Sequence, residues 1–187
     1  MQTLTKPQKI WTDAALEALP KERGKFELID GKLTRMSPAN GNHGYIAIRI
    51  AAALQHFIAP GKLGLVYDSS TGFRLDPQNV LSPDVAYASR DWVLRSKTAP
   101  EEFFRGVPEL AVEIISPSER KTKIRLKIEK YFARGTRLVW LVYPRREQVD
   151  VYTSPDALTT VTVGGLDGGA VLPGFHLPLA TIFEDWF

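Results

Sequence analysis

The chain has 187 residues, a formal net charge of +3, three histidines and no cysteine, which excludes disulfides, thiolate catalysis and any Cys-based metal site. Any metal would therefore be held by oxygen ligands, which points to Mg²⁺ or Mn²⁺. Hydrophobic residues at 44 % and charged residues at 24 % suit a soluble globular domain; no apolar run is long enough to span a bilayer, and the N-terminus lacks a signal-peptide core, so a cytoplasmic protein is predicted.

Thr12 is placed to cap a short helix running to about residue 19 and stopped by Pro20. FELI and KLTRM then read as two strands of a hairpin, with Asp30-Gly31 supplying a type I′ turn. After a loop at 40–42, Ile46, Ile50, Leu54 and Phe57 recur at helical spacing and predict a helix over 43–57, ended by Pro60-Gly61. LGLVY, TGFRL and PDVAYA read as strands, with 76–81 as the connection between the second and third. Residues 89–107 are weakly patterned and read as a loop with a short helical piece.

PELAVEIISPS carries a short β-branched run closed by Pro117, as in a central strand. Ser116 or Ser118 is placed to cap the following helix, which runs to about Arg134 and ends at Gly135, with Ile124, Ile128 and Phe132 as its buried stripe. LVWLVYP is another core strand, and VDVYTS returns beside it after a polar turn at 145–148. A weak strand and a Gly-rich loop occupy 159–175, and LPLATIFEDWF reads as a short terminal helix. No linker or repeat divides the chain, so residues 1–187 read as one domain. The order strand, helix, strand around 110–143 is a β-α-β unit; with the hairpins it predicts an α/β fold, a mixed sheet with helices packed on it.

Four residues stand out chemically. Glu113 lies inside LAVEIIS, sharing a face with Ala111 and Ile115, where a carboxylate is costly unless paired or metal-bound; its plain alternative is a glutamate near the strand end that accepts hydrogen bonds from Ser or Lys. Asp84 follows Pro83 at the start of a strand, where the plain alternative is a turn aspartate. Lys127 flanks Ile128 and stands four residues before Tyr131; its plain alternative is a snorkelling surface lysine. Glu27 shares a strand face with Ile29, and its plain alternative is a solvent-facing glutamate. Around Lys127, residues 119–137 hold eight Lys or Arg and two Glu, a local charge of +6. Such a segment either attracts a phosphate backbone or is a solvated helix face.

FELIDGKL, NHGYIAIRIAAALQHF, TGFRLDPQNVLSPDVAYA and VPELAVEIISPSERKTKIRLKIEKYFARGTRLVWLVYP, in that order and spacing, resemble the Uma2 family of restriction-endonuclease-like proteins, which is abundant in cyanobacteria. The resemblance runs from about residue 12 to residue 152. It implies a PD-(D/E)XK nuclease fold, with Asp84 and Glu113 as ligands of Mg²⁺ (or Mn²⁺), Lys127 as the catalytic lysine and Glu27 as a further ligand or orienting group. The usual lysine position, two after the glutamate, holds Ile115, so the helical Lys127 has to take that role. Some relatives carry an acid where this chain has Lys123.

In that scheme two carboxylates hold the ion, and a lysine serves the attacking water and offsets charge on the phosphate. The implied activity is a metal-dependent DNA endonuclease acting on duplex DNA, with a homodimer as the simplest way to cut both strands. The rival readings are a nucleic-acid-binding module of the same fold that has lost efficient cleavage, motivated by Ile115, and a dimeric structural or interaction protein. Nothing in the sequence specifies base readout.

Overall fold

The computed structural model describes residues 9–20, 24–96, 102–117 and 119–184. Helix α1 (Asp13–Glu17) starts at Thr12, whose hydroxyl accepts from the Ala15 N–H. Strands β1 (Phe26–Ile29) and β2 (Lys32–Arg35) form the expected hairpin. Asp30 and Gly31 both take positive φ, as a type I′ turn requires, and a side chain at Gly31 would strike Ile10. Helix α2 (Gly41–Ile58) begins two residues before the predicted start, because Asn40 caps it by accepting from the His43 N–H.

Strands β3 (Gly64–Asp68), β4 (Phe73–Asp76), β5 (Asn79–Leu81) and β6 (Val85–Ser89) follow. The predicted 76–81 connection is corrected here. Asp76 Oδ1 accepts from the Gln78 N–H and from Asn79 Nδ2, which tightens the turn so that 79–81 return as a buried strand. Helix α3 (Arg90–Ser96) and strand β7 (Phe104–Arg105) lie within the weakly patterned stretch.

Strand β8 (Leu110–Ile114), helix α4 (Lys121–Ala133) and strand β9 (Leu138–Tyr143) form the predicted β-α-β unit, with β8 and β9 parallel. Helix α4 opens at Arg120 without a side-chain cap, so Ser116 does not cap it, and Ser118 lies outside the described residues. The buried side of α4 is Ile124, Lys127, Ile128 and Tyr131; Phe132 is only partly buried. After a 3-10 turn (Pro144–Arg146), β10 (Gln148–Tyr152), β11 (Leu158–Val161), β12 (Gly165–Asp167) and β13 (His176–Pro178) precede helix α5 (Leu179–Phe183); the rest of the predicted terminal helix beyond 184 lies outside the described residues.

The larger sheet has the order β11-β10-β9-β8-β6-β3, antiparallel except at β8–β9, so it is mixed. A second sheet, β2-β1-β5-β4-β7, carries the hairpin, and β12 and β13 pair alone. Ile46, Ile50, Leu54 and Ile58 of α2 pack with Val85, Val112 and Trp140 on one face of the large sheet. Ile124, Ile128 and Tyr131 of α4 pack with Ala111, Val139 and Leu141 on the other, beside Ile29 and Phe73 from the second sheet. Helix α4 therefore lies where the two sheets meet. This is the α/β arrangement of a restriction-endonuclease-like fold. No helix among the described residues is long and apolar enough to cross a membrane.

Candidate functional site

The polar residues of β1, β8 and α4 meet at one point in this junction. Alternation along β8 turns Glu113 to the α4 face with Ala111 and Ile115. One helical turn of α4 places Lys127 and Tyr131 on a shared ridge that covers it. Lys127 Nζ lies 2.6 Å from Glu113 Oε2 and 2.9 Å from Glu27 Oε1, so one ammonium bridges carboxylates from two sheets. The Tyr131 hydroxyl donates to Glu113 Oε1 at 2.7 Å. Glu27 is 1 % exposed, because Leu28 on one face of β1 packs with α1 while Ile29 on the other packs with α4; the solvent-facing alternative for Glu27 is thereby corrected. Its Oε1 also accepts from the Ser82 N–H, and its Oε2 lies 3.5 Å from the Lys123 ammonium. Lys127 is 5 % exposed, so it is no surface lysine.

Asp84 stands just before β6. Continuing the antiparallel register of Val85 with Val112 sets it opposite Glu113. Its Oδ2 accepts from the Ile114 N–H at 2.7 Å and lies 3.3 Å from His43 Nε2, on the first turn of α2. The structure therefore brings Asp84, Glu113, Lys127 and Glu27 to one region. Sequence reasoning missed His43, since one histidine at a helix start carries no signal of its own, and it placed Tyr131 equally well in the core. Lys123 entered only as a departure from relatives; here it is a second cation on Glu27.

The electrostatics follow from burial. Burial pushes the Glu113 carboxyl up to about 7; Lys127 pulls it down, but the Glu27 and Asp84 carboxylates oppose that pull. Burial alone would lower the Lys127 ammonium, yet the two carboxylates beside it hold it well above the usual lysine range. For Glu27, burial is outweighed by Lys127 and Lys123, and its carboxyl is held below the usual range. Burial and the same carboxylates raise the Tyr131 hydroxyl, and the Asp84 hydrogen bond raises His43.

This donor set suits an ammonium better than a divalent ion. Both oxygens of Glu113 carry short hydrogen bonds, one from a cation, and both oxygens of Glu27 face lysines. Among the described residues no group of three or more His, Asp or Glu side chains is disposed to hold a metal ion. Asp84 and Glu113, the Mg²⁺ or Mn²⁺ ligands that the resemblance implies, each already have hydrogen-bond or ion-pair partners from the protein.

The family model of Uma2, described as "Putative restriction endonuclease", matches residues 13–180. The chain belongs to the Uma2 family. A solved structure described as "a putative nuclease belonging to DUF820" from Anabaena variabilis ATCC 29413 shares the fold with a TM-score of 0.79 at 18 % identity, over 92 % of this chain and 97 % of that one. Comparison with curated proteins finds no match. Membership relates this Uma2 protein to PD-(D/E)XK-like nucleases, a metal-using superfamily.

Proposed function

We propose that this Uma2 protein is a nucleic-acid-binding module on a nuclease fold, with phosphodiester hydrolysis weak or lost. The observation that carries this reading is the Lys127 ammonium bridging Glu113 and Glu27 at 2.6 and 2.9 Å. A lysine so bound is charge-neutralised by two carboxylates and is not free to serve a phosphate. Ile115 stands where the superfamily's usual lysine would be. Binding is supported by cations left over from internal pairing. Arg125 and Lys130 of α4, and Arg134 at its C-cap, are consumed by Glu129 and Asp156, by Asp30 and by Asp76. Lys121 and Arg145 have no ion-pair partner among the described residues and stay exposed to meet a phosphate backbone.

A second reading, a Mg²⁺-dependent endodeoxyribonuclease acting on duplex DNA, is favoured by one observation: Asp84 and Glu113 lie opposite each other on neighbouring strands with Lys127 beside them. In it Asp84 and Glu113 would hold the ion, Lys127 would leave Glu113 to offset charge on the phosphate, and Glu27 would support them. A second copy would cut the other strand.

Supercoiled plasmid with Mg²⁺ or Mn²⁺ separates the two. The proposal predicts a shifted plasmid band without nicking. Nicking that disappears in both Glu113→Gln and Asp84→Asn would overturn it in favour of the second reading, and absence of any shift of either the plasmid or a single-stranded DNA would overturn nucleic-acid binding.

A further inference from the structure

Beside the carboxylate–lysine cluster lies a cleft of about 550 Å³ that the proposed function leaves unused. It runs between the first turns of α4, the end of β9, the 3-10 turn and β10. The strand register fixes its relation to the cluster. Glu113 pairs with Leu141, and Leu141 pairs with Asp150, so all three side chains face the α4 side of the sheet. Two strand spacings, about 10 Å, therefore separate Glu113 from the far wall of the cleft. The cleft shares Ile115, Ile124, Ile128 and Leu141 with the narrow gap beneath Glu113, Lys127 and Tyr131.

Its lining divides into three parts. The floor is aliphatic: Ile115, Ile124 and Leu141. The wall holds two half-buried tyrosines, Tyr143 and Tyr152, both on the α4 face of their strands. The rim is cationic: Lys121 and Arg145 are exposed and without ion pairs among the described residues, and Arg146 lies over the Tyr143 ring at 5.6 Å. Two acids, Glu119 and Asp150, also line it. Asp150 is buried and turned to its own sheet, with Oδ1 accepting from Gln148 and Thr160. Arg125 is already bound to Glu129 and Asp156.

An aliphatic floor, aromatic side chains and a cationic rim in a cleft of this size match a flat aromatic group carrying a phosphate. A paired base inside a duplex cannot enter, since both its faces are stacked. We infer that the cleft holds one unstacked nucleotide, its base against Tyr143 and Tyr152 and its phosphate among Lys121, Arg145 and Arg146, so that the protein selects single-stranded or locally unpaired nucleic acid. The inference rests on the nucleic-acid-binding reading and names its substrate class.

The test is fluorescence anisotropy with an end-labelled single-stranded oligonucleotide, a hairpin duplex of the same sequence, and the ribo- form of each. Tighter binding of a single strand than of its hairpin is expected. Tyr143→Ala and Tyr152→Ala should each weaken single-strand binding roughly five- to hundredfold, the range for losing one base–aromatic stack. Tyr152→Phe, which keeps the ring, should bind like the parent. Arg145→Glu, at an exposed position that does not burden the fold, should weaken single-strand binding and flatten its salt dependence. Thermal melting checks that the tyrosine variants fold; if they do not, Arg145→Glu and Tyr152→Phe decide. Hairpins binding as tightly as single strands, or folded Tyr143→Ala and Tyr152→Ala or Arg145→Glu binding like the parent, would overturn the inference and leave nucleic-acid binding intact. Failure of every form to bind would overturn both.

Discussion

Replacing Lys127 by Met keeps most of the side chain's length and apolar stem but removes the ammonium that lies 2.6 Å from Glu113 and 2.9 Å from Glu27. Two buried carboxylates are then left facing each other. Breaking a buried ion pair from one side costs about 3–5 kcal/mol. The cost depends on pH in a direction that the site fixes. Glu113 already sits at about 7, so near pH 5 it is protonated in the variant and part of the penalty disappears. At pH 8 both carboxylates must stay charged or bind a proton against the solvent, and the full penalty applies. Urea denaturation at the two pH values is the assay. Lys127→Met is expected to lose about 3–5 kcal/mol at pH 8 and clearly less at pH 5. Lys127→Met combined with Glu113→Gln should recover part of the loss at pH 8, because residues in one network do not add. A loss below about 0.5 kcal/mol at pH 8, the size of an ordinary surface substitution, would refute the bridging ammonium.

Three further outcomes follow from the same geometry. Because the Glu113 carboxyl is raised from an ordinary value to about 7, it binds protons more readily in the folded than in the unfolded chain; its contribution to stability is present below about pH 4.5 and lost as pH rises through 7. Glu113→Gln should therefore flatten the stability profile between those values, as read by melting temperature across pH. Tyr131→Phe removes the donor to Glu113 Oε1 inside the core and should cost about 1–3 kcal/mol in denaturant titration. Gly64→Ala should lower the melting temperature markedly, because a Cβ there would stand 2.2 Å from the Ala88 carbonyl oxygen on the neighbouring strand.

How much of this was legible in the sequence differs from residue to residue. The β-α-β unit was readable because β8 and β9 are short, largely apolar runs and α4 lies between Pro117 and Gly135. Glu113 was readable too, since a lone acid in such a run needs a partner. Lys127 came to its side through the family resemblance and not through the helix pattern, because Lys127 and Tyr131 extend the buried stripe of α4 with polar residues, and a hydrophobic count picks Phe132 instead. Strand β5 was hidden because its turn is made by Asp76 and Asn79 side chains, which composition alone reads as loop. Glu27 owes its burial to packing on both faces of β1, and His43 meets Asp84 across the fold; neither has a local signature. The charge of residues 119–137 was readable, but its pairing with Asp30, Asp76 and Asp156 was not, as those contacts depend on tertiary structure.

Mn²⁺ titration of the purified protein by calorimetry, beside Glu113→Gln and Lys127→Met, tests most directly whether the carboxylates are closed by an ammonium. No saturable binding that depends on Glu113 is expected in the parent chain, because Lys127 holds both carboxylates. Saturable Mn²⁺ binding by the parent that Glu113→Gln abolishes would contradict it and would make the cluster a metal site.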